Sequence, residues 1–124
     1  MGRYTDRVGE YFRRPARQMG SDIQGVAGSE QCGTLIVFAA DLRDQQLHKL
    51  GFRAFACPHI IAACNWVVER LDGGPVQALN ELRLDQLQAE FDIPVEKAGK
   101  LLILQDAAQA CYRDYQVREQ ASKH

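Results

Sequence analysis

Residues 35–40 read LIVFAA, and this apolar run decides the fold. Its length suits a strand better than a helix, and a continuous apolar run is typical of a strand that is covered on both faces. Residues 41–46, DLRDQQ, are polar and are predicted to turn the chain, and residues 47–56 return with apolar side chains at Leu50 and Phe52. Two strands joined by a short polar loop predict an antiparallel hairpin.

Two segments upstream of the hairpin are predicted to flank it. Residues 21–30 alternate weakly between polar and apolar side chains and contain glycines, which indicates an edge strand or a loop. Residues 6–12 are predicted to form a short helix that Thr5 caps and that ends before Pro15.

Helical spacing of apolar residues dominates the rest of the chain. It predicts helices over residues 59–71, 84–91 and 95–119. Strands followed by helices are typical of an α+β domain, here a small three-stranded antiparallel sheet with helices packed on one face. A chain of 124 residues is long enough for one hydrophobic core, so residues 1–124 are expected to be a single domain.

The charge and hydropathy of the chain exclude several classes of function. Fifteen Lys and Arg residues against sixteen Asp and Glu residues give a net charge of -1, which argues against a nucleic-acid partner. No apolar run approaches the ~18 residues that a membrane span needs, so no membrane partner is expected. The first residues lack the apolar core of a signal peptide, and the expected compartment is the cytoplasm.

The four cysteines do not form a Cys-x-x-Cys pair, and in a cytoplasmic chain they are expected to be free thiols or metal ligands rather than disulfides. Cys32 precedes the central strand, and the adjacent Gly33 permits a positive φ. Cys57 stands where the returning strand meets a helix, and the positive potential of a helix N-terminus favours the thiolate that binds metal. Cys64 and Cys111 lie on apolar helix stripes and are predicted to be packing residues.

The order of several motifs resembles the U-type iron–sulfur cluster assembly scaffolds, the NifU N-terminal or IscU-like family, over nearly the whole chain. These motifs comprise an N-terminal element, two cysteine segments and two segments of the last helical region. The matching segments are residues 11–20 (YFRRPARQMG), 32–34 (CGT), 55–62 (FACPHIIA), 94–97 (PVEK) and 105–107 (QDA). The resemblance implies a NifU-like (SufE/NifU-like) fold and a role in iron–sulfur cluster assembly.

In such scaffolds three cysteines, with an Asp or a His nearby, hold a nascent [2Fe–2S] cluster or a Zn²⁺ ion, and a cysteine desulfurase supplies the sulfur. The resemblance carries over only Cys32 and Cys57. Thr34 stands at the Asp position, Gly99 at the His position and Lys100 at the third cysteine position. Tetrahedral Zn²⁺ and each iron of a cluster take four ligands, so two thiolates are too few.

Three additions to the ligand set are conceivable. His59 can supply an imidazole, Cys64 lies roughly 10 Å along the helix and is a poorer candidate, and two chains of a homodimer can pool Cys32 and Cys57. Lys100 argues against all three, because a protonated ammonium donates no lone pair, although it can pair with the thiolates of a metal-free site.

Two functional hypotheses follow from this partial ligand set. The first is a scaffold-type assembly protein that binds iron, zinc or a labile cluster through Cys32 and Cys57. The second is a cluster-free interaction module that keeps the fold and binds a desulfurase or another assembly protein. A third hypothesis, with Cys57 as nucleophile and His48 or His59 as base, lacks an oxyanion element and an orienting acid, so no enzymatic activity is predicted.

Overall fold

The computed structural model describes residues 6–15 and 17–122, and it consists of one short helix, a three-stranded sheet and a helical second half. The helices are α1 (Asp6–Phe12), α2 (Pro58–Leu71), α3 (Leu84–Phe91) and α4 (Ala98–Ser122), and the strands are β1 (Ile23–Ser29), β2 (Thr34–Arg43) and β3 (Gln46–Phe55). Two 3₁₀ segments, Val76–Asn80 and Val95–Lys97, precede α3 and α4. The predicted Thr5 cap of α1 lies outside the described residues.

The sheet is antiparallel with β2 in the centre, which confirms the predicted three-stranded arrangement and makes β1 an edge strand. The register places Val26 opposite Val37, and Val37 opposite Arg53. Side chains of directly paired residues lie on the same face of the sheet, so Val26, Val37 and Arg53 share one face.

The hairpin between β2 and β3 is tighter than the sequence predicted. The predicted loop over residues 41–46 is wrong, because β2 continues to Arg43 and only Asp44 and Gln45 form the turn. Both turn residues have positive φ, 52° and 64°, as a two-residue hairpin turn of the primed type requires. The usual signal for such a turn is Asn-Gly or Asp-Gly, and Asp-Gln lacks the glycine.

A register shift between Ala39 and Asp41 interrupts the pairing of β2 with β3. On β3, Lys49 has a φ of +55°. Leu47 and Leu50 are both buried although they are three positions apart, which strict alternation along a strand forbids. The irregularity therefore allows both leucines to reach the core.

The helices cover only one face of the sheet, as predicted. On this inner face Ile36 and Phe38 of β2 are fully buried. On the outer face Leu35 and Val37 are only half-buried. The expectation that residues 35–40 are covered on both faces is therefore wrong for Leu35 and Val37, whereas Ala39, also on the outer face, is buried.

Helix α4 packs directly on β1 at Gly25. A Cβ atom on Gly25 would lie 2.1 Å from the backbone nitrogen of Cys111 and 2.3 Å from the carbonyl oxygen of Ala107, so only glycine permits this approach. Further along β1, a Cβ on Gly28 would lie 3.0 Å from Ile103. Residue numbers along α4 fall as those along β1 rise, so the first turn of α4 lies toward the turn that joins β1 to β2.

The N-terminal segment is tied to α2 and its C-cap by charged contacts and to α3 by an aromatic contact. Arg14 Nε lies 2.6 Å from Glu69 Oε2, and Arg17 Nη2 lies 2.6 Å from Asp72 Oδ2. The Tyr11 ring meets Phe91 edge-on, with 5.5 Å between the ring centroids. These contacts fix the segment that leads from α1 to β1.

Candidate functional site

Cys32 and Cys57 lie at the same end of the sheet, as predicted. Leu35 near the start of β2 pairs with Phe55 at the end of β3. Cys32 lies three residues before Leu35, and Cys57 lies two residues after Phe55. We call this end of the sheet, residues 30–33 and 56–58, the cysteine rim.

Cys32 is an exposed thiol held by its turn. Its backbone N–H donates to Ser29 Oγ at 3.2 Å, and Sγ lies 3.2 Å from the Ser29 carbonyl oxygen and 3.3 Å from that of Thr34. Hydrogen bonding with the Ser29 side chain, and then with the Thr34 backbone, lowers the pKa of the Cys32 thiol. The adjacent Gly33 has a φ of +86° with open space around it, as its predicted role requires.

Cys57 is half-buried and occupies the N-cap position of α2. It has an extended backbone conformation, and Pro58 follows at the first helical position, where proline costs no hydrogen bond. The Cys57 carbonyl oxygen accepts from the backbone N–H groups of Ile60 and Ile61 at 3.0 and 3.1 Å. Its thiol makes no capping hydrogen bond, so the sulfur stands at the positive end of the helix without bonding the helix backbone.

The three positions at which the resemblance implies lost ligands, Thr34, Gly99 and Lys100, differ from one another in chemistry. Thr34 is fully buried, and within the described residues its Oγ1 has no hydrogen-bond partner. A buried hydroxyl without a hydrogen-bond partner costs about 1–3 kcal/mol of desolvation. Gly99 is exposed and Lys100 is half-buried, both in the first turn of α4.

His59 is 5% exposed, and its Nδ1 lies 3.3 Å from Lys97 Nζ. Burial, and then the positive charge of Lys97, lowers the pKa of His59, so the imidazole is neutral over more of the pH range. A neutral Nδ1 accepts a hydrogen bond from the ammonium. The role of His59 as a third metal ligand stays a prediction.

The remaining cysteines belong to the core. Cys64 and Cys111 are both fully buried. Burial raises the pKa of the Cys64 thiol, and burial together with the nearby Asp114 raises the pKa of Cys111 to about 12. Both thiols pack in the core rather than at the rim, in agreement with the packing role predicted for them.

Two contacts at the site were not predicted from the sequence. Ser29 precedes Cys32 by three residues, and this spacing in a turn is the available signal, because serine often bonds backbone groups in turns. Lys97 meets His59 across 38 residues of sequence, and no local pattern indicates that contact.

Residues 6–15 and 17–122 of one chain do not supply a complete metal centre. Within the described part of the chain, no three side chains among His, Cys, Asp and Glu are grouped so that they could hold a metal ion. The two thiolates of the rim would fill two of the four positions that tetrahedral Zn²⁺ or a cluster iron takes. The rim of a single copy therefore does not fit a fully ligated metal or cluster.

Comparison with protein families identifies the class of protein. The family model described as the NifU-like N-terminal domain matches residues 3–122. The chain belongs to the NifU-like N-terminal domain family.

Curated relatives are similar over most of the chain. The iron–sulfur cluster assembly scaffold protein IscU of Azotobacter vinelandii is 23% identical over 119 residues, which cover 90% of this chain and 93% of the relative. The mitochondrial iron sulfur cluster assembly protein 2 of Saccharomyces cerevisiae is 22% identical over 100 residues, which cover 79% of this chain. This match spans only 64% of the yeast protein's own length, and the match to the mitochondrial iron sulfur cluster assembly protein 1 of Kluyveromyces lactis spans 53% of that protein.

Solved structures share the fold. The N-terminal part of a NifU-like protein from Brucella abortus superposes with a TM-score of 0.71 at 18% identity, covering 89% of this chain and 92% of that chain. A protein described as a scaffold for the SUF system, from Fervidobacterium islandicum, gives a TM-score of 0.69 at 12% identity, covering 88% of this chain and 96% of that chain. At these identities the likeness shows the fold.

In the described residues, no helix is long and apolar enough to span a membrane.

Proposed function

We propose that this chain acts in iron–sulfur cluster assembly as a scaffold-type protein, and that Cys32 and Cys57 bind iron, zinc or a labile cluster as cargo. The observation that carries the proposal is the placement of both cysteines at one rim of the sheet. Cys32 is exposed and its pKa is lowered, so it presents a thiolate to solvent more readily than an ordinary cysteine.

Family membership and the relatives support the same process. The matching family model covers residues 3–122, and several relatives that align over nearly the whole chain are named iron–sulfur cluster assembly scaffold proteins. We extend from them the partners expected for such a scaffold, a cysteine desulfurase and other assembly proteins. The proposed role is carriage of the cargo rather than catalysis.

The cargo needs ligands that one rim does not provide. Two sources remain open: His59, if the contact with Lys97 is given up, and the rim of a second copy in a homodimer. A second copy brings the number of thiolates to four, which is the number that tetrahedral Zn²⁺ takes in an all-cysteine site. Lys100 in the first turn of α4 argues against both sources, because a protonated ammonium donates no lone pair to a metal.

A cluster-free interaction module is the second candidate. The observation that favours it is the state of the three substituted positions, where an unpartnered buried hydroxyl, a glycine and a lysine replace the ligands implied by the family resemblance. In this role the rim and the sheet would bind an assembly partner without cargo.

Metal binding by the two cysteines separates these candidates. Anaerobically purified protein is analysed for iron and zinc and then titrated with Zn²⁺, as wild type and as Cys32→Ser and Cys57→Ser. The scaffold proposal expects metal that either substitution removes, with both variants folded by circular dichroism. Cys64→Ala is the matched control, because it removes a buried thiol away from the rim and is expected to leave metal binding unchanged.

Two outcomes of the same experiment would contradict the scaffold proposal. Wild type that takes up no metal, or metal that survives in both rim variants, contradicts cargo binding at Cys32 and Cys57. Metal-free protein that still binds a cysteine desulfurase would leave the interaction module as the function.

A further inference from the structure

The outer face of the sheet carries an apolar surface beside the cysteine rim. We call it the outer patch, and it consists of Val26, Leu35, Val37 and Phe55. Val26 is 50% exposed and Phe55 is 54% exposed, while the two β2 residues are half-buried. Exposed apolar side chains that lie together on one face mark interaction surfaces more often than isolated ones do.

The far half of the same face is already covered by the chain. A Cβ on Gly51 would lie 2.5 Å from Met19, and Ala39, which pairs with Gly51, is 4% exposed. The outer patch is thus the half that the described N-terminal segment leaves open. A shallow groove of about 370 Å³ crosses it, between Glu30 at the rim and Arg53 on β3.

Two opposite charges border this groove. Glu30 and Arg53 are both exposed, and neither takes part in an ion pair among the residues that the structure describes. The border of the outer patch therefore carries one acid and one base. A uniformly acidic or basic partner surface would place a like charge against one of them, and like charges facing each other are costly.

A second copy of the same surface matches both charges. In an interface with two-fold symmetry, residue i of one copy meets residue j of the other, and j meets i. An axis that passes between Glu30 and Arg53 runs through the outer patch and forms the same ion pair twice. Two sheets packed face to face lie about 10 Å apart, a separation that their apolar side chains fill.

We propose that the outer patch docks a second copy of this chain, with Arg53 of each copy facing Glu30 of the other. The apolar residues Val37 and Phe55 then pack against their equivalents in the middle of the interface.

This arrangement bears on the incomplete ligand set. Cys32 follows Glu30 by two residues, and Cys57 follows Phe55 by two, so each thiol lies within about 7 Å of chain from the border of the outer patch. The two rims would lie beside one interface, where four thiolates can complete a site. That consequence rests on the proposed function, whereas the docking itself does not.

Charge reversal tests the docking in metal-free protein. Sedimentation equilibrium in the presence of a chelator, over a wide range of concentrations, is expected to show a monomer–dimer equilibrium for the full chain. Arg53→Glu and Glu30→Arg alone are each expected to raise the dimer dissociation constant by about tenfold or more, because each places like charges together twice. The double variant with both changes restores opposite charges and is expected to recover most of the affinity.

A matched control is Arg43→Glu, which reverses an exposed arginine at the opposite end of the sheet and is expected to leave the dissociation constant unchanged. Wild type that stays monomeric throughout would overturn the proposal, and so would a dimer that neither single reversal weakens or that the double variant fails to restore. Any of these results would assign the outer patch to a different protein partner or to none.

Metal binding by wild type and by the charge-reversal variants distinguishes the docking of two copies from cargo binding at the rim. A dimer that responds to the charge reversals but binds no metal supports the docking and rejects cargo binding. Metal bound equally by wild type and by a monomeric Arg53→Glu variant supports cargo binding and rejects a site shared between two copies.

Discussion

Four cysteines of one chain have three different environments, and the environment sets the chemistry of each. Cys32 is exposed, Cys57 is half-buried at a helix N-terminus, and Cys64 and Cys111 are in the core. The hydrogen bonds that Cys32 makes with Ser29 and Thr34 lower the pKa of its thiol. The rate at which each thiol is alkylated therefore distinguishes the cysteines of the rim from those of the core.

We predict that Cys32 is alkylated fastest by iodoacetamide near neutral pH. The thiolate is the reactive form, and Cys64 and Cys111 combine burial with raised pKa values, so they are expected to react only on unfolding. Mass spectrometry of time points gives the rate at each cysteine. A Cys32 rate no higher than that of Cys111 would contradict the described turn.

We also predict the pH dependence of this reaction and its origin. A lowered pKa means that the alkylation rate of Cys32 reaches its plateau at a lower pH than that of an ordinary thiol. Ser29→Ala removes the largest cause of the lowering, so the midpoint of the rate profile should move to higher pH. The exposed Ser21 provides the control Ser21→Ala, and an unshifted midpoint in Ser29→Ala would show that Ser29 does not stabilise the thiolate.

At the scale of single residues, the sequence identified both rim cysteines because strand ends carry reliable local signals. It also assigned Cys64 and Cys111 to the core through helical periodicity. The contact between His59 and Lys97 and the unpartnered Thr34 hydroxyl depend on packing between distant segments. No local pattern encodes such contacts.

Among the elements, α4 is the one whose placement decides whether Gly99 and Lys100 lie near the rim. Its position is fixed by the close approach to Gly25 of β1. Gly25→Ala would force a methyl group against the helix backbone, and we predict a loss of about 1–3 kcal/mol or more in the free energy of unfolding, measured by urea denaturation.

Gly99→Ala is the matched control for this substitution. Gly99 lies within α4, and a methyl group added there would have no neighbouring atom within 4 Å, so alanine is expected to be neutral or to stabilise by up to about 1 kcal/mol. Equal effects of the two substitutions would contradict the described packing of α4 on β1.

A third thiolate at the start of α4 should strengthen metal binding if that turn adjoins the rim. We predict that Lys100→Cys raises the affinity for Zn²⁺ by about tenfold or more, measured by competition with a chromophoric chelator. Gln116→Cys adds a thiol to an exposed position of the same helix, more than four turns away, and should leave the affinity unchanged. Equal gains in both variants would place α4 elsewhere.

The sequence predicted the type of every long element and missed the details that backbone geometry controls. The helix over residues 84–91 and a long last helix follow from apolar spacing, although α4 spans Ala98–Ser122 instead of the predicted 95–119 and a 3₁₀ segment occupies Val95–Lys97. The two-residue turn at Asp44 and Gln45 uses positive φ values that neither residue type indicates. The 3₁₀ segment Val76–Asn80 is too short for periodicity to reveal, although Val76 and Leu79 are buried.

At the scale of the whole molecule, Asp72 joins the N-terminal segment, the hairpin and α2. Its Oδ2 accepts from Arg17, and its Oδ1 accepts from the backbone N–H of Leu50 at 3.0 Å. We predict that Asp72→Ala lowers the free energy of unfolding by about 1–3 kcal/mol, because the Leu50 N–H loses its acceptor.

Arg17→Ala should cost less, within about 1 kcal/mol, because an ion pair near the surface contributes little on its own. Urea denaturation of both variants measures the difference. A larger loss from Arg17→Ala would show that the two contacts of Arg17, its ion pair with Asp72 and its hydrogen bond to the Leu50 carbonyl oxygen, hold these parts together more strongly than the hydrogen bond that Asp72 accepts.

The family assignment and the incomplete ligand set of the rim together raise the question whether this chain holds a cluster. Anaerobic reconstitution with ferric iron and sulfide, followed by visible absorption, tests it most directly. We predict sulfide-to-iron absorption in wild-type protein that both Cys32→Ser and Cys57→Ser abolish while Cys64→Ala retains it. Wild-type protein that stays colourless, or colour that persists in both rim variants, would contradict cluster binding at Cys32 and Cys57.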